Sequence, residues 1–114
     1  MTTTTYRTIG ATVTGDDTEQ TVHTVPTGYN AQIQQPKIIN TSGANPTTVT
    51  ISINGTDLIL DQKTLSADEV WIPEYGTGGP AAKWGLQADD TLDVKSSAED
   101  VEVQFNHYTW PNTV

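Results

Sequence analysis

Two histidines, His23 and His107, and fourteen carboxylates are the side chains best suited to chemistry, because the chain has no cysteine. Two imidazoles meeting across a sheet beside an acid could hold a transition metal, but no His-x-His or His-x3-His pair exists and thiolate ligands are absent. His107 has the parity of Val103 and Phe105, which assigns it to the end of the core rather than to a ligand set. Asp89-Asp90-Thr91-Leu92-Asp93 is rich in oxygen but lacks the alternating ligands and terminal Glu of a calcium loop. Aspartates that start turns by bonding their own backbone account for it more simply. Nothing singles out two acids as a glycosidase pair. No Gly-x-Ser-x-Gly elbow is present, and Gly76-Thr77-Gly78-Gly79 has neither the strand-to-helix setting nor the lysine of a phosphate loop. The reading is therefore not an enzyme, with no catalytic residue, metal or cofactor assigned.

The aromatic residues are the better candidates for contact. Three Trp and four Tyr against one Phe give nearly all the aromatic surface a polar handle, as at rims and interfaces. Trp71, Tyr75 and Trp84 flank a Gly-rich stretch, and Trp110 follows the last expected strand. Trp71 is out of phase with Val70 and Ile72, so with those two facing inward it points out, as a subunit contact or a ligand platform. Subunit contact is preferred over a sugar site because Trp is enriched at protein interfaces. The polar arm Thr2, Thr3, Thr4, Thr5 and Tyr6 joins them as a candidate contact, since an unpartnered arm can order against a neighbour.

Charge narrows the partners. A net charge of −9, with five basic residues against fourteen acids, argues against nucleic acid, whose phosphates need a basic face. Met1 is followed by four threonines rather than by a basic and then an apolar run, and no long apolar segment exists, so neither a signal peptide nor a membrane span is expected. At 114 residues one domain can remove about 65% of its unfolded surface from water.

The elements that must position these residues read as strands throughout. Threonine, 21 of the residues, suits the pleat through its branched Cβ. From Thr21 to Asp61, apolar alternation is punctuated by Pro26-Thr27-Gly28, Ser42-Gly43-Ala44-Asn45-Pro46 and Asn54-Gly55. Asn-Gly best tolerates the positive φ angles of a two-residue type I′ loop. It predicts Ile53 opposite Thr56, Ile51 opposite Leu58 and Val49 opposite Leu60, with Thr48, Thr50 and Ser52 on the other face. Further strands are expected over Tyr6–Thr14, Glu19–Val25, Tyr29–Thr41, Asp68–Ile72, Thr91–Ser97 and Val101 to about Tyr108. Pro36 should mark a bulge or edge with a parity change. Lys63–Ala67 reads as a connection and residues 75–82 as an exposed loop.

About eight strands, each with one apolar face, predict an all-β fold, a single antiparallel β-sandwich that is jelly-roll-like, with a closed barrel as the alternative. Residues 1–5 form the expected arm, 6–110 the sandwich and 111–114 a tail.

Thr21-Val22-His23-Thr24-Val25-Pro26-Thr27-Gly28, Ile39-Asn40-Thr41-Ser42, Val49-Thr50-Ile51-Ser52-Ile53 and Leu86-Gln87-Ala88-Asp89-Asp90-Thr91-Leu92 follow one another in an order that resembles small β-sandwich virion proteins of tailed phages. Asp89 stands where that pattern usually has Gly. The resemblance covers most of residues 20 to 105. It implies a capsid decoration (cement) protein on the outside of the virion. Its partners would be the major capsid protein or other virion proteins, and it would be a homo-oligomer, a trimer in the favoured case. A tail, neck or head-tail component and a carbohydrate-binding module are the alternatives.

Overall fold

The computed structural model describes residues 5–55, 58–73 and 83–111. They form nine strands: β1 (Thr5–Val13), β2 (Glu19–Thr24), β3 (Tyr29–Asn40), β4 (Thr47–Ile53), β5 (Leu58–Leu65), β6 (Val70–Trp71), β7 (Lys83–Leu86), β8 (Thr91–Ser96) and β9 (Val101–Pro111). One sheet, A, runs β1-β9-β3, with β6 and β7 both on the far edge of β3; the other, B, runs β2-β8-β4-β5. All the pairings are antiparallel: β1 with β9, β2 with β8, β3 with β6 and β7, and β4 with β5. The chain is thus one long ribbon doubled back between β4 and β5. It is rolled into two layers by the further pairings of β9 with β3 and β8 with β4. That is jelly-roll topology, and the two sheets are separate, so the sandwich expectation holds over the barrel.

Between the layers, sheet A contributes Val13, Ala31, Ile33, Ile38, Trp71, Leu86, Val101, Val103 and Phe105, and sheet B contributes Val49, Ile51, Ile53, Leu60, Leu65, Leu92 and Val94. Alternation places them there: every second residue of β9 from Val101 to Thr109 is buried, as the period of two requires. The expected kink in β3 is also present. The pairing of β3 with β9 shifts between Gln34 and Lys37, Gln35 takes a φ of 52°, and the buried set moves from Ala31 and Ile33 to Ile38 and Asn40.

Five local expectations are corrected. Ile53 pairs with Leu58, Ser52 with Ile59 and Ile51 with Asp61; Thr56, the partner expected for Ile53, lies outside the described residues. Asn54 and Gly55 do take positive φ angles, 53° and 71°, but β8 captures them. The Asn54 amide donates to the Thr91 carbonyl and the Gly55 amide to Asp93 Oδ2. With the turn held there, Leu60 becomes the extra residue of a bulge, which keeps it buried despite the changed register. Lys63 to Leu65 belong to β5 rather than to a connection.

The strand opposite β3 is in two pieces, which raises the number from eight to nine: β6 pairs with Ile38 and Ile39, and β7 with Ala31 to Gln34. The expected loop over residues 75–82 lies outside the described residues. β9 continues past Tyr108 to Pro111, which sits opposite Tyr29 at the strand end, where a missing amide costs no ladder bond. Finally, β1 begins at Thr5, not after it.

The end of the sandwich carrying the β1–β2 and β8–β9 turns is closed by polar contacts. A Cβ on Gly15 would stand 2.2 Å from the Glu99 backbone, so only glycine lets the two turns touch. The Gly15 amide donates to Asp100 Oδ1, and the Thr41 amide to the Asp100 carbonyl.

Candidate functional site

Trp71 reverses its expected direction. Its register partner is the buried Ile38, and Trp71 is 6% exposed while Val70 and Ile72 are 52% and 41% exposed. A run of three apolar residues fits either phase. The sandwich takes the one that buries the single largest ring, since a Trp buries more apolar surface than either aliphatic neighbour.

Trp110 is exposed on the outer face of sheet A, at a hollow of about 430 Å3 lined by Asn30, Gln32, Gly85 and Gln87. Trp84 lies in β7 in register with Ile33, and Thr5 and Tyr6 open β1 opposite Thr109 and Tyr108. Thr2, Thr3, Thr4 and Tyr75 lie outside the described residues. Trp71 and Trp110 are not brought together: one is core, the other surface.

That outer face differs from the rest of the molecule. Ile39, Val70 and Ile72 gather at one end and Trp110 at the other. Between them run amides and hydroxyls that bond one another: Thr8 to Asn106 at 2.8 Å, Asn106 to Gln35 at 2.6 Å and Gln34 to Gln32 at 2.6 Å. Among described side chains only Lys37 and Glu102 bring charge to it. At the β3 bulge it sinks into a hollow of about 260 Å3 lined by Pro36, Lys37, Ile72, Gln104 and Asn106. The outer face of sheet B is a wet face of threonines, with Thr48 bonded to Thr64 and Gln62 to Thr50, both at 2.9 Å.

The acids serve turns, as their spacing predicts. Asp89 adopts a φ of 69° in the position where the resembling pattern has Gly, and its Oδ1 accepts from Thr27 Oγ1 at 2.6 Å. Asp90 accepts from Asn54 Nδ2 and the Gln87 amide, and Asp93 from Thr21, Thr91 and the Gly55 amide. No group of three metal-ligating side chains occurs among the described residues.

The two histidines do meet. A register shift between Thr21 and His23 makes Val22 the extra residue of β2 and turns His23 toward the layer gap. There its ring centroid lies 4.6 Å from that of His107 and 6.0 Å from that of Phe105. His107 is 4% exposed, in agreement with its parity. His23 Nε2 and both ring nitrogens of His107 are buried without a hydrogen-bond partner. The rings line a cleft of about 430 Å3 between the β1 and β2 edges, with Arg7, Ile9, Pro26, Tyr29 and Thr109. Burial, then the facing imidazole, pushes the His23 pKa below its ordinary 6.5. Burial, then the Arg7 charge, does the same to His107. The bulge at Val22 is what sequence could not show: strict alternation gives His23 no reason to face His107.

No family model matches the chain, and no curated protein matches it by sequence. Solved structures do match. A chain of the disulfide-linked pili formed by Bacillus endospore appendages aligns with a TM-score of 0.55 at 9% identity, over 99% of this chain and 92% of that one. A chain of the acid-stable capsid of Helicobacter pylori bacteriophage KHP30 aligns with a TM-score of 0.51 at 11% identity, over 99% and 95%. What is shared is the fold. Both alignments run through nearly the whole of each chain, so the jelly roll is matched as a unit rather than as a fragment.

Proposed function

We propose that this chain is a virion structural protein, a capsid decoration (cement) subunit that binds the outer capsid lattice without catalysis. The observation that carries the reading is the outer face of sheet A, where Val70, Ile72 and Trp110 stay exposed and where, among described side chains, only Lys37 and Glu102 bring charge in a protein of net charge −9. Exposed apolar groups gathered on one face mark a protein contact, and Trp is an effective anchor for one. The likeness of fold to a phage capsid chain supports this assignment, as does the resemblance of the turn and strand residues. The subunit is proposed to act as a homo-oligomer, a trimer in the favoured case, with the major capsid protein as its partner.

A filament subunit is the second reading, favoured by the pilus chain among the structural matches. Cryo-electron microscopy of particles carrying the protein separates the two. Symmetric density on the capsid exterior supports decoration; density at the tail or neck, or free filaments, overturns it. Deleting residues 2–5 should lower capsid occupancy while leaving the thermal transition in place, and unchanged occupancy would remove the arm from the contact. A glycan signal lost in a folded Trp110→Ala variant would instead support sugar stacking at the Trp110 hollow.

A further inference from the structure

We propose that Arg7, His23 and His107 form an oxyanion-binding cleft, built to take a carboxylate or phosphate group between the β1 and β2 edges. The first ground is the set of unpartnered nitrogens. Buried polar groups in folded proteins are almost always bonded, and an orphaned one calls for a partner from outside the chain. Here three ring nitrogens on two facing histidines lack one, and His107 is 96% removed from solvent by its 4% exposure. Both histidines line the same cleft, so a turn of each ring would present a nitrogen to a single group entering it.

The second ground is the sign of the site. The groups that face the histidine pair are Arg7 from β1, Pro26 from the β2–β3 connection, Tyr29 at the start of β3 and Thr109 from β9; β8 presents Leu92 opposite His23. No acid lines the cleft among the described residues. Asp89 and Asp90, just before the neighbouring β8, and Asp93 on it are engaged by Thr27, the Gln87 amide and the Gly55 amide. A metal cation would have to share the cleft with the permanent charge of Arg7, whereas an oxyanion accepts from the guanidinium and from an imidazole N–H on each ring. The cleft is cationic in a chain that is otherwise strongly acidic.

The third ground is the linkage to protons. Without a ligand, burial and then neighbouring positive charge lower the pKa of both imidazoles below the ordinary 6.5. A bound oxyanion reverses the preference, because an opposite charge favours the protonated ring. Binding therefore takes up protons and strengthens as pH falls.

The ligand chemistry has two sources, a free small anion or a carboxylate of a second copy of this chain, and the experiment distinguishes them. Histidine ring resonances are followed by NMR during titration with sodium acetate and with inorganic phosphate, at pH 6.0 and 7.5 and matched ionic strength. Sedimentation velocity is run on the protein alone across a concentration series. Saturable shifts of both rings, tighter at pH 6.0, with a monomer throughout, support the cleft with a free anion as its ligand. Self-association that acetate competes away supports it with the second copy as the source. Arg7→Gln, an exposed position, should weaken either one roughly tenfold, as expected for loss of one charge-assisted bond. Rings that neither anion nor protein concentration moves overturn the proposal, as does binding unaffected by Arg7→Gln or a response to zinc chloride alone.

Discussion

Asn40 is fully buried at the end of β3, where its amide nitrogen donates to the carbonyls of Asn45, Leu65 and Ser66 at 2.9, 3.3 and 3.1 Å. Its Oδ1 accepts from the Ser42 amide at 3.0 Å. One side chain thus satisfies backbone groups of the β3–β4 turn and the end of β5. Asn40→Ala would strand several of them, and urea denaturation should show a loss of about 2–4 kcal/mol, the scale of multiple buried unpaired groups. His23 and His107 make the opposite case, because His23 Nε2 and both His107 nitrogens are buried with no hydrogen-bond partner. Their folded pKa values lie below the ordinary 6.5, so the unfolded chain binds protons first as pH falls. Their contribution to stability is complete above pH 6.5 and is lost progressively below it, through the folded pKa values. Urea midpoints taken from pH 7.5 to 5 should therefore fall in the wild type and fall less in His107→Gln. Asp16, lowered by the Thr18 hydroxyl, and Glu69, lowered by the Ser66 amide, titrate below that window.

The β4–β5 pairing is where local chemistry and tertiary context part ways. Asn54-Gly55 has the φ angles its sequence demands, yet the strands register three positions later than a two-residue loop would set them, with Thr50 opposite Gln62 instead of Ile59. Since the chain has no native cysteine, the difference can be trapped directly. Thr50→Cys with Gln62→Cys should oxidise readily to a disulfide, and Thr50→Cys with Ile59→Cys should not, because Cα atoms more than about 7 Å apart cannot be bridged. The reverse result would restore the shorter loop. Most strands were legible in the sequence because alternation shows wherever one face is wet, as in β4 and β9. β7 was not: Lys83-Trp84-Gly85-Leu86 is too short for a period, and only its position along Ala31 to Gln34 makes it a strand. The histidine cleft was half legible, with His107 placed by parity and His23 hidden by the bulge at Val22. At the turns, Gly15→Ala should lower the thermal midpoint, since its Cβ meets backbone rather than a movable side chain.

At the scale of the whole molecule, the ribbon doubled between β4 and β5 makes sequence separation grow steadily away from its tip. β4 and β5 are neighbours in sequence, while Thr5 pairs with Thr109. Contacts of such long range slow folding because loop closure must precede the gain. Stopped-flow refolding should accordingly fall in the millisecond-to-second range or slower, with protection of β4 and β8 preceding that of β1; early protection of β1 would contradict this order. The same pairing of Thr5 with Thr109 brings the start of the first strand and the end of the last to one corner of the sandwich. Tension applied between these two points would peel β1 from β9 rung by rung, the weakest way to load a β-ladder. Force entering through the sheet faces would instead meet the whole interlayer packing at once. A subunit of this design bears load sideways, through what it touches, rather than along its own chain.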